Sequence, residues 1–251
     1  MPLEVRQAEP FVVLVTIDNQ SKRNAMSRAM LGELADLWDR LAVDPSCRSV
    51  VLTGAGGKGF CAGADIGGDL TASPEMAAMI NRALLKTQVF PKPIVAAVNG
   101  DCAGGGVELL LSTDIRGAAP HARFGLPEVR YAIYPFGGAT IKLVQQIGYV
   151  HAMDLILTGR LIDAAAAARL GLVNEVVGDD VLAWALGKAR LIAANSPAAV
   201  QAVKTQIATG IAEHALAREP MEQALGDRVR ASPDFAEGVA AFLEKRAPRY
   251  P

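Results

Sequence analysis

Two glutamates and two glycine-rich stretches are the parts of this sequence best suited to chemistry. Glu108 stands in Val107-Glu108-Leu109-Leu110-Leu111, just inside an apolar helical run. An unpaired carboxylate buried there costs several kcal/mol or takes up a proton, so the placement suggests a purpose. The plain alternative is a first-turn glutamate that serves the helix dipole and faces water. Glu128 follows in FGLPE, where Pro127 fixes the backbone before it; taken alone, it reads as an exposed loop or helix-start residue. If the two meet, they form a pair able to divide general acid and general base work.

The glycine stretches present backbone rather than side chains. Val50 to Leu70 is a buried strand opening into a loop with seven glycines between Gly54 and Gly68. Gly54, Gly56, Gly57 and Gly59 surround Lys58, but the Gly-Lys-Ser/Thr ending of a nucleotide phosphate loop is absent. A glycine-rich turn without function is the bland reading. Pro93 to Asp114 gives a strand, a turn at Asn99-Gly100, and then Gly104, Gly105 and Gly106 opening the helix that carries Glu108. Free N–H groups at such a helix start favour negative charge, and the glycines leave access open.

The elements positioning these groups read as α/β in the first half. Strands are expected at Phe11–Ile17, Ser49–Thr53, Ile94–Val98 and Asp114–Arg116, with helices over Ser27–Leu41 and Glu75–Gln88. Beyond His151 the pattern turns helical apart from a short strand at Leu172–Val177. Asp163 is placed to cap Ala164–Leu170, with Gly171 at its C-terminal end. Helices follow over Leu182–Ala194, Pro197–Thr209 and Ile211–Arg230, the last bent or broken at Pro220, and a final helix runs from Pro233 to Leu243. Ser196-Pro197 marks the junction between a core of residues 1–195 and a helical part, 196–251.

At 251 residues the chain can bury a substantial core. It is 51% apolar and 20% charged with a net charge of −1, which offers no basic field for nucleic acid. No apolar run approaches the roughly 18 to 20 residues of a membrane span, and the N-terminus reads as a strand rather than a signal sequence, so a cytoplasmic protein is expected. Cys47, Cys61 and Cys102 have neither disulfide nor zinc spacing and suit small buried hydrophobes. His121, His151 and His214 lack metal-ligand or nucleophile-base spacing, and no metal is expected.

Taken together, FCAGADI at 60–66, VNGDCAGGGVEL at 98–109 and FGLPE at 124–128 resemble the crotonase, or enoyl-CoA hydratase/isomerase, family. The order and spacing agree over most of the chain. The resemblance implies an α/β spiral of ββα units with a C-terminal helical region that forms trimers, often paired into hexamers. It implies an acyl-CoA substrate, with no cofactor beyond the coenzyme A that the substrate carries. It places an oxyanion hole at the backbone N–H groups of Ala64 and Gly105, and makes Glu108 and Glu128 the two hydratase carboxylates, 20 residues apart.

The same resemblance suggests Ala62, Asp65, Ile66 and Gly104 as residues around the thioester and coenzyme A. Two departures from the family pattern bear on the substrate. Ala132-Ile133-Tyr134-Pro135-Phe136 replaces a glycine-containing stretch, so that Tyr134 and Phe136 reshape the acyl pocket. ADIGGD lacks a basic residue expected near the pyrophosphate, a part that Arg23 or Lys58 would then take. Hydration of an enoyl-CoA is the leading expectation. The alternatives are isomerisation, dehydration or thioester hydrolysis by the same scaffold, or non-catalytic binding of acyl-CoA.

Overall fold

The computed structural model describes residues 3–65, 73–178 and 180–251. The chain opens with an antiparallel hairpin, β1 (Leu3–Glu9) and β2 (Val12–Ile17). Helix α1 (Arg28–Val43) is capped by the Ser27 side chain, which accepts from the Met30 N–H. Its buried residues Met30, Leu31, Leu34, Leu37, Trp38 and Leu41 recur at helical spacing, so one face meets the core.

Two strand–strand–helix units follow. The first is β3 (Ser49–Gly54), β4 (Gly59–Cys61) and α2 (Pro74–Ala83). The second is β5 (Ile94–Val98), β6 (Asp101–Ala103) and α3 (Gly105–Leu110). A third pair, β7 (Ile115–Ala118) and β8 (Arg123–Gly125), leads into a 3₁₀ turn at Pro127–Tyr131 and then α4 (Ala139–Ile147).

The remaining elements are α5 (Tyr149–Thr158), β9 (Leu161–Asp163), α6 (Ala164–Arg169), β10 (Glu175–Val176), α7 (Val181–Ala193), α8 (Pro197–Arg230) and α9 (Pro233–Leu243). The strands divide between two sheets, ordered β1-β2-β3-β5-β7-β10 and β4-β6-β8-β9. Each successive pair therefore gives one strand to each sheet, and the chain advances as the expected spiral of ββα units.

Pairing is parallel from β2 through β10 in the first sheet and from β4 through β8 in the second. Strands β3 and β5 are buried along their whole length, which is why they read as continuous apolar runs rather than alternating ones. The main core lies between the sheets and the helices from α1 to α6. A second apolar layer packs α7, through Ala185, Ala189 and Ala193, on the outer face formed by Val12, Leu14, Val51 and Val95. All three cysteines are buried, as expected.

Three boundaries differ from the sequence reading. Helix α2 stops at Ala83 instead of reaching Gln88, because Leu85 turns left-handed (φ 48°) and the Lys86 N–H closes back on the Asn81 carbonyl. Leu84 and Leu85 are buried in return. The expected strand at Leu172–Val177 shrinks to Glu175–Val176, since Leu172 wraps the end of α6, its N–H bonded to the Ala167 carbonyl.

Pro220 does not end a helix: α8 is continuous from Pro197 to Arg230. Pro220 is exposed, as is Leu216 one turn earlier, so the carbonyl deprived of its donor lies on the side open to water.

Candidate active site

Two asparagines pin the first glycine-rich stretch, and one of them, Asn99, ties it to the second. The Asn99 side chain accepts from the Gly54 N–H at 3.1 Å and donates to the Gly54 carbonyl at 2.7 Å. Buried Asn24 donates to the Gly59 carbonyl at 2.7 Å and to that of Ala55 at 3.0 Å. These amides satisfy loop carbonyls that would otherwise be stranded.

Beyond β4 the chain passes Met26 in a short parallel bridge made by Met26 N–H to Gly63 O and Asp65 N–H to Met26 O. In an extended segment successive N–H groups alternate sides, so the Ala64 N–H points away from this bridge. Gly63 (φ 96°) makes the bend; a Cβ there would fall 2.9 Å from the Gly105 nitrogen. Gly104 (φ 57°) precedes α3, and Gly105 begins it, so its N–H has no partner within the helix. A Cβ on Gly105 would lie 3.5 Å from the Ala64 nitrogen, so the two amides are neighbours.

Two details of the sequence reading change here. Helix α3 has only six residues, so its macrodipole is short and the individual N–H groups matter more than the helix end. Gly106 is required by packing rather than access, since a Cβ would overlap the Cys61 carbonyl.

Glu108 is buried, not turned to water, and accepts from the Ala139 N–H at 3.2 Å. Glu128 sits on the 3₁₀ turn, which ends at left-handed Ala132 (φ 50°). Its Oε1 lies 3.0 Å from where a Cβ on Gly104 would be, and its Oε2 is buried without a hydrogen-bond partner among the described residues. Burial raises the pKa of both carboxyls. Glu108 is drawn partly back by the Ala139 and Gly137 N–H groups and by Lys86, while the charge on Glu108 pushes Glu128 further up.

Both carboxyls, Ala64 and Gly105 face one cavity of about 290 Å³, together with Tyr134 and Phe136. Ala62, Gly104 and Asp65 also line it, and Asp65 is bound by Lys22 Nζ at 2.6 Å. Arg23 does not reach it: its guanidinium lies 3.2 Å from Asp101, in a surface cluster with Arg123. Lys58 is likewise exposed and off the cavity wall. Ile66 falls outside the described residues.

Sequence reading missed Arg230, Phe235 and Phe242, which reach the cavity from α8 and α9. Helix α9 crosses so close to the Glu128 turn that a Cβ on Gly238 would overlap the Tyr131 carbonyl, and Phe242 meets the Tyr131 ring edge-on at 5.2 Å. Behind the cavity a buried ion pair, Lys86 to Glu222 at 2.7 Å, joins α8 to the core. The described residues contain no cluster of three or more His, Cys, Asp or Glu arranged to hold a metal.

The chamber is mainly apolar and sets two carboxyls of raised pKa beside two backbone amides that have no hydrogen-bond acceptor among the described residues. The chain belongs to the enoyl-CoA hydratase/isomerase family, whose model matches residues 7–251. It is 41% identical over 246 residues to the enoyl-CoA hydratase EchA19 of Mycobacterium tuberculosis, covering 95% of this chain and 92% of that one. It is 36% identical to the 2,3-dehydroadipyl-CoA hydratase of Escherichia coli, at 95% and 94% coverage. The crystal structure of carnitinyl-CoA hydratase from Mycobacterium avium superposes with a TM-score of 0.90 at 36% identity, covering 99% of this chain and 98% of that one.

Proposed function

We propose that this protein is an enoyl-CoA hydratase, adding water across the 2,3 double bond of an enoyl-CoA thioester. The observation that supports this reading is one chamber lined by buried Glu108, by half-buried Glu128 with its Oε2 enclosed, and by the backbone of Ala64 and Gly105. Those donors would take the thioester oxygen, draw electrons from the β-carbon and hold the enolate that forms; one such donor is typically worth about 3 to 4 kcal/mol.

Two carboxyls whose charges repel share a proton readily, leaving one as base and one as acid. The carboxylate takes a proton from a water held between the pair as its oxygen bonds to the β-carbon. The acid then delivers a proton to the α-carbon, and the pair resets by passing one proton back. The steps add the elements of water with no net oxidation or reduction, so no cofactor is assigned apart from the coenzyme A of the substrate. Ala62, Asp65 and Gly104 would shape the thioester end, and Tyr134 with Phe136 the acyl end.

The helical region 196–251 is assigned a second role in assembly, as a homotrimer or a pair of trimers. Val203, Ile207, Leu216, Met221 and Leu225 leave apolar surface exposed along α8, and a cleft of about 960 Å³ runs between the first half of α8 and the core. No helix among the described residues is long and apolar enough to cross a membrane. The three unpaired, buried thiols suit the reducing cytoplasm, the location proposed.

The test is a panel of acyl-CoA thioesters followed by mass spectrometry. A mass gain of one water on 2-enoyl-CoA substrates is expected. Conversion of 3-enoyl to 2-enoyl thioesters without that gain would replace hydration by isomerisation.

A further inference from the structure

Phe136 stands between two cavities. On one side is the chamber of about 290 Å³ that holds Glu108 and Glu128; on the other is a cavity of about 490 Å³ bounded by Lys86, Glu219, Glu222 and Asp227. The two share Met76, Ile80, Phe136 and Arg230 as walls. The Phe136 ring is fixed from three directions. Tyr134 lies at a centroid distance of 5.2 Å, the Arg230 guanidinium carbon sits 4.4 Å above the ring, and α8 approaches at Gly226, where a Cβ would overlap the ring. Arg230 is itself held by Asp227 at 2.9 Å. A ring clamped by a glycine contact and a cation–π contact is a wall rather than a loose side chain.

We propose that Phe136 is the specificity-determining end wall of the acyl chamber, confining the enzyme to short acyl chains, and that the second cavity is the space a longer chain would enter if the ring were removed. The inference rests on the acyl-CoA reading given above. An apolar acyl tail fits the near side, where Ile133, Pro135 and Leu84 line the chamber, and with the ring gone the Pro74, Met76, Ala77 and Ile80 walls of the far cavity offer it further apolar surface beside the charged groups. The wall thus limits length by the bulk of the clamped ring.

The experiment compares wild type, Phe136→Leu and Phe136→Ala on crotonyl-, hexenoyl-, octenoyl-, decenoyl- and dodecenoyl-CoA, reading kcat/KM for each. The wild type is expected to favour the two shortest. The decenoyl-to-crotonyl ratio should rise at least about tenfold in Phe136→Ala and by a smaller factor in Phe136→Leu, since one methylene of pocket fit is worth about 10- to 200-fold.

Affinities for the matching saturated thioesters, measured by calorimetry, should move in the same order. These do not depend on turnover, so a protein that binds thioesters with this length profile but hydrates none would overturn the hydratase reading and leave the wall standing. Cooperatively folded variants whose ratios stay within twofold of wild type in both measurements would overturn the wall.

Discussion

Glu108 fits its pocket because residue 137 has no side chain: a Cβ on Gly137 would lie 2.5 Å from Glu108 Oε2 and 2.5 Å from Leu84 Cδ1. The carboxylate is thus positioned by a glycine 29 residues away in sequence as well as by its own helix.

Gly137→Ala is therefore expected to displace the Glu108 carboxyl and lower kcat on crotonyl-CoA by about 10², the scale set by a misplacement of an ångström. Binding of the thioester should change far less, because Ala64 and Gly105 are untouched. Steady-state kinetics that show a raised KM at unchanged kcat would count against this positioning.

Both carboxyls have folded-state pKa values above the ordinary carboxylate range, mainly through burial. Above that range the folded state then binds more protons than the unfolded chain, so stability falls as pH rises towards the folded values. Burial also lowers the Lys142 pKa, to about 7, and that group acts in the opposite sense above neutrality. The difference between variant and wild type isolates the pair. Glu108→Gln/Glu128→Gln should be more stable than wild type at neutral pH and should lose that advantage on acidification, as followed by thermal melts. An advantage that grows as pH falls would contradict the assignment.

The Lys86–Glu222 pair is buried on both sides, with side-chain exposures of 3% and 5%. Glu222→Ala leaves the Lys86 charge with only the more distant Glu219, at 3.5 Å, and should cost up to about 3 to 5 kcal/mol by chemical denaturation, whereas replacing Lys86 and Glu222 by apolar residues should recover much of the loss. Equal losses in the single and double variants would mean that the pair does not act as a unit.

How much of this was legible in the sequence follows the range of the forces involved. Ser27, Asp163 and Ser196 mark helix starts because capping is local, and each accepts from an N–H within its own first turn. Glu108 was legible because a carboxylate among leucines is costly wherever the helix goes. That α8 runs past Pro220 without interruption is not legible in the sequence, because a proline's cost depends on whether the freed carbonyl meets water.

Arg230, Phe235 and Phe242 went unread because only the return of α8 and α9 over their own chain brings them to the chamber. Arg23 pairs with Asp101 at 3.2 Å while most of its side chain stays exposed, a contact between residues 78 apart that sequence does not carry. The Glu128 carboxyl, unremarkable as a lone Pro-Glu, acquires its raised pKa from burial, with Gly104 close by, and from the charge on Glu108, both distant in sequence.

The most direct measurement is crotonyl-CoA hydration, followed by loss of enoyl absorbance, for wild type and for Glu108→Gln and Glu128→Gln separately. Each amide should lower kcat by about 10² to 10⁴ with little change in thioester affinity, as expected when one member of an acid–base pair is removed. Full activity in either variant would contradict the two-carboxyl account.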